Sequence, residues 1–170
     1  MKENILIFGG SGYVGSKLIE VLLKKKIEVI NYDRDLFGWK HLPHKNKKFH
    51  HIKGDIRNTK KIIKTLKKFK PKYVIHLACI SNDPTFLLNS KLSREVNFES
   101  FRKLSKILKN FNISRFIFAS TASVYGLSKS RKVTETHKLK PITLYNKYKA
   151  KCEKIFLKDF PKNMEKCIIR

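Results

Sequence analysis

The chain has 170 residues, 41% of them apolar, and its 39 Lys and Arg against 13 Asp and Glu leave a net charge of +26. That length and apolar content fit one globular domain with a buried core, while no apolar stretch reaches the length of a membrane helix. No signal-peptide apolar region follows Met1 and Lys2, so a soluble cytoplasmic protein with no membrane partner is expected.

Three widely spaced cysteines, Cys79, Cys152 and Cys167, form no CxxC motif and are read as buried free thiols, not as a disulfide framework or zinc site. The basic residues are 32 lysines and 7 arginines spread along every segment, without RGG, interleaved aromatic or zinc-knuckle patterns. A uniformly lysine-coated surface of this kind makes nucleic acid an unexpected partner. It favours small anions, nucleotides among them.

In chain order, short apolar runs alternate with amphipathic stretches, the pattern of a parallel α/β sheet. Asn4 to Phe8 reads as a buried strand, and Val14, Leu18, Val21 and Leu22 place a helix over Gly12 to Lys25. Ile27 to Asp33 is a second strand, and "KFHHIKGD" ends a weaker third before Asp55. The segment from Asp35 to Lys48, with Gly38, Trp39 and Pro43, reads as a surface loop. His41, His44, His50 and His51 have no flanking carboxylates at ligand spacing, so no metal site is expected. Thr59 to Phe69 is a helix stopped by Pro71, "KYVIHLAC" the fourth strand and "RFIFAST" the fifth, with one long helix over Leu92 to Asn110 between them. Leu144 to Phe160 is a further helix, and "KCIIR" opens a sixth strand.

Two patterns carry chemistry. Between the first strand and helix, Gly9, Gly12 and Gly15 stand at G-x-x-G-x-x-G spacing with Gly10 beside the first. Such glycines allow a sharp turn off a strand, close approach of backbone to a pyrophosphate, and tight packing of helix on sheet, with the helix N-terminus facing the negative charge. Asp33 ends the second strand 18 residues beyond Gly15, where a carboxylate can accept hydrogen bonds from an adenosine ribose and repel a 2′-phosphate. This points to NAD over NADP, with Arg34 keeping the phosphorylated cofactor open. A P-loop is excluded because the Gly-Lys-Ser/Thr ending is missing.

The second pattern is "TASVYG" (Thr121 to Gly126) followed by "YNKYK" (Tyr145 to Lys149). Tyr-x-x-x-Lys by itself is uninformative: six tyrosines and 32 lysines give about one such pair by chance, and three occur, Tyr13/Lys17, Tyr125/Lys129 and Tyr145/Lys149. Only the last lies on one helical face. A phenol is a poor base at neutral pH, and a neighbouring ammonium favours its phenolate; Thr121 can bond a reacting substrate oxygen.

With "GGSGYVGS", Asp33, "GDIRN", "HLAC", "FASTASVYG" and "YNKYK" in this order, the chain resembles the extended short-chain dehydrogenase/reductases, in their NAD-dependent nucleotide-sugar epimerase/dehydratase branch. The resemblance runs from Ile5 to Arg170. It implies an α/β Rossmann-type doubly wound parallel sheet of order 3-2-1-4-5-6 over residues 1–170, lacking the C-terminal substrate domain. It further implies Gly9, Gly12, Tyr13, Val14 and Gly15 at the pyrophosphate, Asp33 at the adenosine ribose, Asp55 and Ile56 at the adenine, and Leu77 and Ala78 lining the cofactor on the fourth strand. Asn97, in "EVNFES", matches the family's helix asparagine near the active site and joins the cofactor-binding set. Thr121, Tyr145 and Lys149 are the implied catalytic trio, with Tyr145 and Lys149 also contacting the cofactor. The implied substrate is a nucleotide sugar, and relatives dimerise through helices matching those around Leu92 to Asn110 and Leu144 to Phe160. Ala122 and Ser123 stand where the family's 4,6-dehydratases carry Asp-Glu, which favours an epimerase or simple oxidoreductase. The ending at Arg170 leaves two alternatives, a fragment of such an enzyme or a bare NAD-binding module without activity of its own.

Overall fold

The computed structural model describes residues 3–128 and 132–170. Six parallel strands form one sheet in the order β3-β2-β1-β4-β5-β6. They are β1 (Asn4–Phe8), β2 (Glu28–Asp33), β3 (Phe49–Lys53), β4 (Tyr73–His76), β5 (Arg115–Ala119) and β6 (Glu165–Ile169). β1 is buried at every position because strands pair on both its edges and both its faces are covered. Its side chains alternate between two cores. Leu6 and Phe8, with Ile30 and Tyr32 of β2, face α2 (Thr59–Phe69), α5 (Ser100–Leu108) and α6 (Leu144–Asp159); Ile5, Ile7 and Val29 face α1 (Tyr13–Lys24).

Three expectations are corrected. The segment from Asp35 to Lys48 is irregular, but it is not merely a surface loop. Leu42 is buried and Trp39 packs against the second core, so this segment covers part of the sheet beside α1. The helix expected over Leu92 to Asn110 is broken into α4 (Ser90–Arg94), a π-helical turn (Glu95–Glu99) and α5. Within it the Ser100 hydroxyl donates to the carbonyl of Val96, and the turn carries Asn97 inward. Of the three thiols, only Cys152 is buried; Cys79 is half-buried and Cys167 is exposed on the edge strand β6. A further helix, α3 (Asp83–Leu88), escaped the sequence reading although Asn82 caps it, accepting from the amide of Thr85, and Pro84 opens it.

Local chemistry sets the boundaries elsewhere. Asn58 caps α2 by accepting from the amide of Lys61, and the helix ends at Lys70 in the left-handed region (φ 45°) ahead of Pro71. Buried Asn4 ties β1 to that end by donating to the carbonyl of Phe69 (2.8 Å) and accepting from the amide of Lys72 (2.9 Å). Among the described residues no helix is long and apolar enough to cross a membrane, and no group of three or more His, Cys, Asp or Glu is placed to hold a metal ion.

Candidate active site

The carboxyl ends of β1, β2, β4 and β5 define the edge of the sheet to which the glycine loop, Asp33, the segment after β4 and Thr121 all belong. Gly9 leaves β1 at φ 84°, and a Cβ there would lie 2.6 Å from the backbone nitrogen of Ala78. Only glycine fits both the conformation and the space. Gly15 is held equally tightly, with its Cβ position 2.5 Å from Gly10 Cα, which brings α1 against the loop. Gly12 differs. Its Cβ position meets nothing nearer than the Gly9 carbonyl oxygen, 3.5 Å away, so the space above it is open. Gly12 is the N-cap of α1, with no side-chain cap and no acidic residue in the first turn. Free amides and the positive end of the helix dipole therefore face an open cradle, with Tyr13 and Val14 exposed beside it.

Asp33 ends β2 at the side of this cradle, accepting from the amides of Ser11 (2.9 Å) and Asp35 (2.8 Å), one on each carboxylate oxygen. Each oxygen keeps a lone pair free for further donors such as ribose hydroxyls. Arg34 beside it is exposed. The Asp55 carboxylate is gripped by the amide and guanidinium of Arg57 at 2.8–3.0 Å, and that grip holds its pKa below the usual carboxylate range. Arg57 reaches on to Glu95 at 3.0 Å, and Ile56 is buried below. Leu77 and Ala78 lie just past β4, not on it; Ala78 backs directly onto Gly9. The side chain of Asn97 accepts from the amide of Ile80 and donates to its carbonyl, both at 2.8 Å, so it clamps the segment following β4.

Tyr145 and Lys149 lie one turn apart on α6, both buried. Lys149 Nζ donates to the carbonyl of Ala119 at the end of β5 (2.7 Å) and lies 5.9 Å from the centroid of the Tyr145 ring. Thr121 follows two residues after Ala119. It opens the 3-10 turn Ala122–Tyr125 and accepts from the amide of Ser123 (3.3 Å), keeping its side chain at the surface of the site. One expectation about the other pairs is corrected: Tyr13 and Lys17 also stand one turn apart on a helix, α1, but the Tyr13 ring is exposed and Lys17 pairs with Glu20 at 2.9 Å, while Lys129 lies outside the described residues, as do Met1 and Lys2.

The expected lowering of the Tyr145 phenol is corrected. Burial pushes it well above its usual range, and Cys79 and Asp83 add to the rise. Lys149 directs its ammonium at a carbonyl, and desolvation of the phenolate prevails over any attraction. Sequence reasoning missed these two neighbours, Cys79 from the segment after β4 and Asp83 from the first position of α3. It also missed Glu153, one turn beyond Lys149. This buried carboxylate accepts from the Ser120 hydroxyl and pairs with Arg170 at 2.7 Å, and Arg170 in turn donates to the Tyr125 hydroxyl (2.9 Å). Its spacing, Lys149-x-x-x-Glu153, was the available signal.

Residues 5–161 match the family described as the NAD dependent epimerase/dehydratase family. The chain belongs to that family. It is 30% identical over 151 residues to the UDP-glucose 4-epimerase of Lactobacillus helveticus, covering 89% of this chain and 45% of that protein. The structure of the Thermus thermophilus UDP-glucose 4-epimerase in complex with NAD shares the fold, with a TM-score of 0.87 at 24% identity over 98% of this chain and 54% of that one. The UDP-N-acetylglucosamine 4-epimerase of Methanobrevibacter ruminantium M1, in complex with UDP-N-acetylmuramic acid, gives 0.84 at 26% identity, over 100% and 55%. The chain thus spans about half the length of the relatives it matches.

Proposed function

We propose that this chain is the cofactor-binding half of an NAD-dependent nucleotide-sugar epimerase, with the residues that grip the sugar lying outside these 170. The carrying observation is the placement of Tyr145 and Lys149 on one face of α6, with Lys149 joined to the end of β5. The open glycine cradle and the two free lone-pair directions of Asp33 suit a dinucleotide. NAD, when bound there, supplies the acceptor and donor of hydride. Gly9, Gly12, Tyr13, Val14 and Gly15 hold its pyrophosphate by their backbone, Asp33 its adenosine ribose, and Asp55 and Ile56 flank the adenine. Leu77 and Ala78 wall the site, and Asn97 acts through its clamp on Ile80. Tyr145 takes the proton from a sugar hydroxyl, commonly the 4-OH, and returns it after the keto sugar has been reduced on its other face. Lys149, anchored to the end of β5, bonds the nicotinamide ribose, while Thr121 holds the reacting sugar oxygen. Homodimerisation through α5 and α6 belongs to the same reading.

Titration of the chain with NAD by calorimetry tests the cofactor assignment, and lack of measurable affinity overturns it. In a chain completed with its sugar-binding residues, Tyr145→Phe is expected to lower turnover by about 10²- to 10⁴-fold with NAD affinity kept, the scale of a lost general base. Near-normal turnover in that variant rejects the role of the tyrosine.

A further inference from the structure

Beneath the glycine loop, the sheet carries a buried polar relay. Asn31, in the middle of β2 and fully buried, is in register with His51 of β3. Its Nδ2 donates to the Ser11 hydroxyl (3.0 Å) and lies 3.1 Å from His51 Nδ1. With the amide donating, Nδ1 is the acceptor and the ring proton sits on Nε2, which donates to Asp35 Oδ2 at 3.0 Å. Both ends of that pair are shielded: the Asp35 side chain is 5% exposed and that of His51 10%, and Trp39 stacks on the imidazole with centroids 4.5 Å apart. Asp35 itself sits at φ 65°, a left-handed conformation uncommon for a residue other than glycine.

Such a relay is costly to bury, the more so because Asn31 Oδ1 has no hydrogen-bond partner, so its effect should appear in what it holds in place. What it holds is Ser11. The Ser11 amide bonds Asp33, its hydroxyl receives Asn31 and stands 3.5 Å from Asp35 Oδ1, and Gly12, the open floor of the cradle, is the next residue. The Asn31 amide also presses on Gly10, where a side chain would collide with it.

We propose that His51 and Asp35 are positioning residues for the phosphate cradle: acting through Asn31 and Ser11, they hold the glycine loop in its cofactor-ready shape. The inference rests on the reading of that loop as a dinucleotide site. His51 fixes Oδ2 of the buried Asp35 carboxylate, leaving Oδ1 facing the Ser11 hydroxyl; without that anchor the carboxylate is free to compete for the loop donors that an incoming phosphate requires.

Two variants separate hydrogen bonding from packing. His51→Phe keeps an aromatic ring against Trp39 and removes both hydrogen bonds, whereas His51→Gln keeps a donor and an acceptor. Amide hydrogen exchange reads the loop without any ligand, and calorimetry with NAD reads the consequence. Exchange at the Ser11 amide is expected to quicken about tenfold in His51→Phe, the scale of one lost charge-assisted bond, while Ile5 to Phe8 stay as protected as before. NAD affinity falls by about the same factor, and His51→Gln restores both to within about threefold of wild type. The proposal is overturned if Ser11 exchange is unchanged in His51→Phe, or if His51→Gln behaves like His51→Phe. A wild-type chain that does not bind NAD defeats the proposed function, and the exchange measurement still decides whether the relay shapes the loop.

Discussion

His76 offers a sharp test of the packing around the site. It lies on β4, fully buried, with ring centroids of Phe101, Phe8, Phe118 and Phe116 at 5.2–6.2 Å, and neither of its nitrogens has a hydrogen-bond partner. Burial, assisted by the nearby Lys149 cation, pushes its pKa down to about 3 from 6.5. Because the folded-state pKa is depressed, the unfolded chain binds the proton more readily. The associated stability is therefore complete above about pH 6.5 and is lost as pH falls from there towards 3. At about 1.4 kcal/mol per pH unit, lowering the pH from 7 to 5 removes about 2 kcal/mol through this one residue. Carboxylates stay ionised in both states over most of that window. Urea unfolding of wild type and His76→Phe at pH 7 and pH 5, followed by circular dichroism, measures the difference. The variant should lose about 2 kcal/mol less than wild type between the two pH values, whatever its stability at pH 7. Equal losses would refute the placement of a neutral, unpartnered imidazole in this core.

Other expectations follow from the same geometry. Gly9→Ala meets both a positive φ and the Ala78 backbone, and should destabilise by about 2–4 kcal/mol in urea unfolding. Gly12→Val, at an open position, should stay within about 1 kcal/mol of wild type yet abolish NAD binding in calorimetry. Asn97→Ala removes both bonds to Ile80 and should cost about 2 kcal/mol, with faster hydrogen exchange at the Ile80 amide. Glu153→Gln leaves Arg170 without its buried counter-charge and should lower stability by about 2 kcal/mol, an effect nearly insensitive to salt because the carboxylate is buried.

The strands were legible because buried parallel strands are continuous apolar runs, and "NILIF" and "RFIFA" carry that pattern without help from context. The tight glycine loop and the one-turn spacing of Tyr145 and Lys149 on α6 were legible because both are arrangements of particular residues at short, fixed spacings. The break in the helix around Asn97 was not, since nothing in the periodicity of residues 92–110 registers that Asn97 clamps Ile80, 17 residues earlier. The covering role of the segment from Asp35 to Lys48 was hidden for a similar reason: Leu42 and Trp39 are isolated apolar residues in a polar stretch, and only the nearby sheet face accounts for them.

The direction of the Tyr145 shift marks the same boundary. Its neighbour at four residues was visible and argued for a lowered pKa, whereas burial and the approach of Cys79 and Asp83 argue the other way. What the order of residues determined by itself was the alternation of strands and helices, the glycine-rich turn after β1 and the Tyr-Lys spacing, each signalled by short stretches of chain. What tertiary structure decided was which of those groups meet, which are cut off from water, and which carboxylate or carbonyl each proton donor finds. Solvation and pairing depend on residues that chain order keeps far apart.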